Sequence, residues 1–537
     1  MTIKELGPNF TPEWRTDLNN NFKELAGMQG SVNDAVNKAK TAEQIANDAK
    51  TTANSANNTS NSVQKQLDTI VINGDSSVEA AQARVDENGK TSGTLKERID
   101  KGFVKLTDKQ SMDIKHYQQK LRTENKAKLS TFSFPTDFTW KAPIQIFTDG
   151  RSYETFFDVA RFKNTGGTTY YIKYDTGLNA NNGTSENTPF QTLGKALSVA
   201  VDGDTIVILD TLLSRANFGV SNISVTKNIN IIAKTRCVIK AGDTHTFTKT
   251  SGYTNIWDTN RTNALRVVDY EKEYDFTKMN SITECDATPG SWYTDGTKVY
   301  IHTLESTSPI DSKHFVLINT NSFVFVDSTV RNVKLYLENV EIVGGVPQIE
   351  TKNSATTKSY VYIKNSKLLY NCSTLQGSIY AAGCEHAFFQ NVTCAYSWED
   401  GFDYQPLNGT ATKFIEVDCI GHSNGRYNQA ADNFNGSTAH QDCKGVRYGG
   451  YYYKNIGPQV VDIYGTIQSV NFNVAAFDSE ATQIPKIGFE IMDNQMWLFN
   501  CTSFGNDIDI YAPTGSMYVD VNSVYYTKGG SGILAPG

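Results

Sequence analysis

No run of about 18 apolar residues occurs in this 537-residue chain, so no segment reads as a membrane-spanning helix. Basic charge is in short supply. Fifty Lys and Arg face 57 Asp and Glu, a net charge of −7. Phosphate backbones demand a basic face, so nucleic acid is not the expected ligand. Paired cysteine motifs are missing too. Cys237, Cys285, Cys372, Cys384, Cys394, Cys419, Cys443 and Cys501 include no Cys-x-x-Cys, which removes the usual zinc spacing. They read instead as small packed thiols of a chain made in a reducing cytosol. The opening MTIKELGPNF has no apolar stretch of a secretory signal. If the protein works outside a cell, release by another route, such as lysis, is expected.

What the chain has is repetition. LYLENVEIVGG from Leu335, VYIKNSKLLYN from Val361, AFFQNVTCAYS from Ala387 and KFIEVDCIGHS from Lys413 are four versions of one line. Asn339, Asn365, Asn391 and Val417 hold equivalent places, and the three steps (365−339, 391−365, 417−391) are each 26. A fixed period of this size, carried by short alternating apolar runs, marks a solenoid. One such repeat cannot bury its own apolar face, but stacked repeats share a core. Without helical periodicity, 26 residues suit one coil of a parallel β-helix, with residues 26 apart stacked about 4.8 Å from each other. The fold class is therefore mainly β.

The N-terminal part has other periods. TPEWRTDLNNNFKELAG, within residues 1–30, reads as one amphipathic helix that Thr11 caps and Pro12 opens. Between residues 31 and 71 the period becomes seven. Val32, Ala35, Ala39, Ala42, Ala46, Ala49, Ala53, Ala56, Ser60, Val63, Leu67 and Ile70 fall on alternating a and d positions. Alanine buries little surface, so this segment is either a weak coiled-coil stalk held together by the rest of the chain or a polar linker of helical tendency. Residues 72–129 read as a helical connector. Residues 130–167, with Phe132, Phe134, Phe138 and Trp140, read as an aromatic neck between stalk and body. The body, 168–537, opens on a helix expected at 189–200 that covers the end of the solenoid, where unpaired strand edges need a lid. Residues 243–330 read as coils decorated by loops. The period slips after residue 450, which predicts an insertion or an altered coil in 450–495.

Polar and aromatic side chains thicken between Trp398 and Asp462. Loops on rigid strands are where a solenoid keeps its site. The candidate catalytic residues are Asp400, Asp403, His422 and Asp442, and the candidate ligand contacts are Trp398, Glu399, Arg426, Asp432, His440, Arg447, Tyr451 and Tyr453. Strict 26-residue register stacks Asp400 on Arg426, Asp442 on Glu416, and His422 between Tyr396 and Tyr448. Two carboxylates held that close raise one pKa, as sugar-cleaving acids require. Glu399 and Asp403 lie about 13 Å apart along a strand, too far to pair unless the chain turns. Turn and ladder roles are the plain alternative for each single Asp and Asn. For the group as a whole, a saccharide-contacting surface is expected. DGFDYQ also has the Asp-x-x-Asp outline of a calcium loop, without the EF-hand spacing. No other cofactor or metal is expected.

Two sets of motifs carry a resemblance. PNFTPEWRTDLNNNFKELA, the Ala-rich segment and SSVEAAQARVDENGKTSGTLKERID resemble the attachment region of minor tail, tail-fibre and pre-neck appendage proteins of phages of Gram-positive bacteria. NGTSENTPFQTLGKALSVAVDGDTI, EDGFDYQ, CIGHSNG, NGSTAHQD and YYYKNIGP are similar to the pectate-lyase-like right-handed β-helix of the same appendages. The resemblance implies a homotrimer in a virion tail. It implies an N-terminus docked on other tail or baseplate proteins, and a body that attaches to host teichoic acid or capsular polysaccharide. Some members also cleave that polymer. Glu399-Asp400-Gly401 followed by Gly421-His422-Ser423 resembles the acid pair and Gly-His of polygalacturonase-like hydrolases, which have Asp and Gly where this chain has Glu399 and Ser423. A calcium-dependent lyase scheme would draw on Asp400, Asp403 and Asp432 with Arg426 or Arg447. A structural spacer of the virion is the third reading.

Overall fold

The computed structural model describes residues 129–535, apart from 221, 319–322, 373–375, 427–432 and 483, together with eight isolated positions nearer the N-terminus. The chain divides into two units, Met1–Glu124 and Asn125–Gly537. In the first, the described residues Thr16, Asn20, Lys23, Asn37, Lys40, Thr41, Gln44 and Thr51 are helical and exposed. Five of these fall between the a and d positions of the heptad, on the side expected to face water. The a and d residues themselves, and residues 72–128 of the connector, lie outside the described residues.

The second unit is a parallel β-helix. Face A is a sheet of ten strands from Ile223–Val225 to Lys528–Gly529, parallel and in chain order once an inserted segment is passed. Faces B and C belong to one further parallel sheet. A coil crosses face B on a strand such as Lys413–Val417, bends, and crosses face C on one such as Ile420–His422. The bend turns on a residue in the left-handed region, joined by a second, Gly450 (φ 88°), where the chain has Gly449-Gly450. Successive bends are Asn339 (φ 60°), Asn365 (50°), Asn391 (53°), Asp418 (52°), Gly449 (62°), Asn473 (54°), Asn500 (53°) and Asn522 (57°). Asn, Asp and Gly tolerate that conformation, whereas a β-branched residue does not. Asn391 Nδ2 donates to Asn365 Oδ1 at 2.9 Å and Asn500 Nδ2 to Asn473 Oδ1 at 2.8 Å, so the bends also form a side-chain ladder.

This ladder corrects the register. Gln390 pairs with Val417, so the fourth bend is Asp418, a step of 27 (418−391), not 26. The next steps are 31 (449−418), 24 (473−449) and 27 (500−473). The longest step lies before residue 450; 450–495 continues the solenoid in altered coils, the first of them shortened to 24. Inside, residues from Ile172 to Tyr518 form one continuous core. All eight cysteines are free and buried.

The lid helix is shorter than expected, Leu193–Val199. Thr192 caps it by accepting from Lys195 N at 3.2 Å, and Asn179 Oδ1 holds Gln191 and Thr192 in the turn before it. Phe190 bridges to Ile172 as extended chain and so cannot join the helix. Leu193 and Ala196 plug the end of the core.

The aromatic segment of residues 130–167 is not a neck. Phe132, Phe138, Tyr153 and Phe157 pack on the outer side of face B, against Phe388, Phe472, Trp497 and Phe499. Its polar pins are Thr139 N to Gln468 Oε1, Val159 N to Gln390 Oε1, and Tyr448 OH to Tyr153 O, at 3.0, 3.0 and 2.9 Å. It is a strap, and it explains why face B is apolar on both sides.

Residues 243–318 are likewise not decorated coils. Trp257–Asn260, Lys298–His302 and Ser291–Thr294 form an antiparallel sheet; Ala264–Asp269 pairs with His314–Ile318; and a helix, Ile282–Ala287, closes one side. Val267, Phe276, Trp292, Val299, Ile301 and Val316 give this inserted subdomain a core of its own. It enters within a single step of face A, between Val225 and its neighbour Val326.

Candidate functional site

The corner between faces C and A builds the site. Tyr396 (φ 56°) ends face C, Ser397 to Gly401 turn, and Phe402–Gln405 begins the strand on face A. A buried ladder fixes the turn. Asn371 Nδ2 donates to Ser397 Oγ (3.1 Å), Ser397 N to Asn424 Oδ1 (3.0 Å), and Asn424 Nδ2 to Asn455 Oδ1 (2.9 Å). At Gly401 a Cβ would stand 2.7 Å from Gly436 O, so only glycine fits so near the next coil. On the strand, Phe402 and Tyr404 enter the core and Asp403 alternates outward.

The turn brings carboxylates together. One ligand atom from each of Asp400, Asp403 and His440 lies within 4.8 Å of the others. His440 Nε2 is 3.5 Å from Asp403 Oδ1, which also accepts from Gln405 Nε2 at 2.9 Å. Asp400 Oδ1 accepts from Asn435 N at 2.7 Å. Burial pushes Asp400 up to about 6, against the hydrogen bond from Asn435. Burial and then the charge of Asp400 push Glu399 up to about 7 and hold Asp403 well above the carboxylate range. Burial takes His440 down to about 4, leaving a neutral imidazole. Glu399 is close enough to Asp403 to add to its shift, because the chain does turn between them.

Beside this corner is a cleft of about 640 Å³. Glu273, Asp275 and Lys278 of the inserted subdomain line one side, and Tyr396, Trp398 and Arg426 line the other. Tyr396 OH donates to Glu273 Oε2 at 3.1 Å, and Arg426 Nε to Glu480 Oε2 at 2.6 Å. Arg266 lashes the subdomain down, with Nε to Asp275 at 2.9 Å and Nη1 to Asn371 O at 3.0 Å. The insertion's contribution has no period and no motif, so nothing in the sequence marks it.

Several expected neighbours do not meet. Asp403 pairs with Thr438, 35 residues on, so Asn435 and not Arg426 stands by Asp400. Glu416 pairs with Arg447, and Asp442 is an exposed bend (φ 58°) hydrogen-bonded by Thr466. His422 touches Tyr396, as expected, but stacks on Tyr453 at 4.9 Å instead of Tyr448. It belongs to an outer ring ladder, Tyr370, Tyr396, His422, Tyr453, Phe477 and Phe504, and burial lowers its pKa to about 4. Tyr453 is therefore half-buried in that ladder, while Tyr451 is 55 % exposed on face C. Arg447 is wholly buried inside the solenoid, between Glu416 and Asp462, away from any ligand-accessible surface. Asp432 lies outside the described residues. Trp398, Glu399, Asp400, Asp403, Arg426 and His440 remain around the corner and cleft.

No family model matches the chain, and no curated protein does. Among solved structures it is similar to a complex of XylC with xylose: 12 % identical, covering 66 % of this chain and 70 % of that one, TM-score 0.39. It is similar to a pectate lyase at 12 % identity, covering 69 % and 81 %, TM-score 0.33. It is also similar to a tailspike protein from a Pseudomonas phage, at 11 % identity, covering 64 % and 72 %, TM-score 0.24.

Proposed function

We propose that this protein is a tail appendage of a phage virion that attaches to a surface glycopolymer of its host, teichoic acid or capsular polysaccharide. The observation that carries the binding half is the cleft. Trp398 and Tyr396 offer ring surface at its edge, and Glu273, Asp275, Lys278 and Arg426 offer donors and acceptors of both signs. Sugars are recognised that way, through an apolar ring face and a rim of hydroxyls. The solenoid beneath is rigid and its corner is pinned by buried amides, so little ordering cost opposes binding. The virion half, with a homotrimer and an N-terminus docked on tail or baseplate proteins, is supported by the resemblance of the N-terminal motifs.

A second reading, cleavage of the same polymer, is favoured by one feature. Glu399 is pushed up to about 7 by burial and then by the charge of Asp400 beside it, where a carboxylic acid can protonate a leaving group at neutral pH. Incubation of the full chain with cell walls and exopolysaccharide of Gram-positive bacteria tests both readings. Co-sedimentation with the polymer is expected, and the Trp398→Ala protein is expected to bind about fivefold more weakly, with unchanged melting, since stacking on one aromatic is worth about 1 kcal/mol. Failure to sediment with any wall or capsule would overturn the attachment reading. If sugar ends are released as well, Glu399→Gln and Asp400→Asn should bind and no longer cut; release by both variants would leave cleavage without these acids.

A further inference from the structure

The most deeply buried pair of carboxylates in this body comes with a cation. Glu416 and Asp462 have Arg447. Asp400 and Asp403 do not: among the described residues neither is paired with a lysine or arginine, and Asp403 is only 5 % exposed. Two like charges near each other in a low-dielectric pocket repel and are poorly solvated, so either a proton or a cation has to accompany them. The donors at this spot, Asn435 N to Asp400 and Gln405 Nε2 to Asp403, are neutral amides that bring no counter-charge. His440 has Nε2 toward Asp403 at 3.5 Å. Thr438 stands one coil beyond Asp403 in register and is 2 % exposed. Its hydroxyl approaches the Asp400 carboxylate without completing a well-formed hydrogen bond there or elsewhere.

We propose that Asp400, Asp403 and His440 hold a first-row divalent cation, of the zinc or manganese type, with the Thr438 hydroxyl at the edge of the site. The size is right. Ligand atoms at about 2.1 Å from a metal, set at tetrahedral or octahedral angles, lie about 3.0–3.5 Å apart. The Asp403–His440 pair already stands at 3.5 Å, and the three ligand atoms converge within 4.8 Å. The donor set also discriminates. Calcium takes six to eight oxygen ligands, whereas a neutral imidazole with two carboxylates suits zinc or manganese. The support around the ligands resembles that of a metal centre, because Gln405 and the Asn435 amide orient one carboxylate each. The cation links face A to the corner, through ligands from the turn, the strand Phe402–Gln405 and the strand Ser437–His440. It thus braces the wall next to the cleft.

The experiment needs no glycopolymer, so its failure and the failure of the attachment reading are separable. The full chain, stripped with a chelator and dialysed, is titrated with Zn²⁺, and separately with Ca²⁺, by calorimetry. One Zn²⁺ per chain is expected, with an increase in melting temperature. His440→Gln and Asp403→Asn are each expected to weaken it at least about tenfold, a typical effect of disturbing a metal's coordination. The melting of each stripped variant is measured alongside; His440 has a 21 % exposed side chain, so its replacement by glutamine is the variant expected to fold unchanged. The proposal is overturned by the absence of stoichiometric Zn²⁺ binding, by Zn²⁺ binding that both variants retain, or by Ca²⁺ binding that His440→Gln leaves intact.

Discussion

Replacing Arg447 by methionine is expected to cost the solenoid about 3–5 kcal/mol, the usual loss when one partner of a buried ion pair is removed and the other stays behind. Arg447 has no exposed surface. Its Nε donates to Ser437 Oγ at 2.9 Å and lies 3.3 Å from Glu416 Oε1, and its Nη1 reaches Asp462 Oδ1 at 3.5 Å and Asn471 Oδ1 at 3.3 Å. Tyr452 OH donates to Glu416 Oε2 and Ser469 Oγ to Asp462 Oδ2, both at 2.6 Å. Burial opposes the charge of Arg447, but Asp462 and Glu416 outweigh it and hold its pKa above the ordinary value. Without the guanidinium, two carboxylates share the core of the helix with no counter-charge. Urea unfolding should show the loss as a lowered midpoint. Adding Glu416→Gln and Asp462→Asn to the variant should restore much of it, since a satisfied neutral network has no charge to strand. A loss below about 1 kcal/mol for Arg447→Met would show that the network is solvated in a way this burial does not allow.

The second large effect goes the other way. Glu490 sits on face A, on the outward row that also holds Asp403, and it is nine-tenths buried. Burial alone pushes its pKa from 4.5 up to about 7. A carboxyl that binds its proton more tightly in the folded protein stabilises it least when both states are ionised. The folded state is therefore at no disadvantage below about pH 4.5, loses stability as pH rises toward 7, and carries the full cost above that. At about 1.4 kcal/mol per pKa unit, the cost at pH 8 is about 3 kcal/mol. Glu490→Gln should remove it: a gain of that size at pH 8 and almost none at pH 4. Equal effects at the two pH values would contradict the burial account.

Much of the architecture was legible because its bends are stereochemically demanding. A left-handed corner selects Asn, so Asn339, Asn365 and Asn391 announce the coil and its period. The same logic failed one step later. Asp418 is as good a corner residue as Asn, but a 27-residue step puts it one place beyond the extrapolated Val417. A one-residue slip in a strand exchanges inside for outside. Arg447 misled for another reason: it lies among other polar residues, and nothing in the sequence marks it as a core residue held between Glu416 and Asp462. The site was partly legible. Trp398, Glu399, Asp400, Asp403 and His440 lie in the stretch where polar residues thicken, but which of them meet depends on a 35-residue step, from Asp403 to Thr438, that no fixed period contains. Glu273, Asp275 and Lys278 reach the cleft from a subdomain that folds on its own antiparallel pairing, about 120 residues earlier in the chain.

Backbone hydrogen exchange of the full chain, with and without a glycopolymer that it sediments with, tests the central claim most directly. Binding in the cleft predicts slowed exchange on both of its walls, in residues 271–278 of the inserted subdomain and 396–401 of the corner, with the far end of the solenoid near 517–535 unchanged. Protection confined to other coils, or equal protection everywhere, would contradict it.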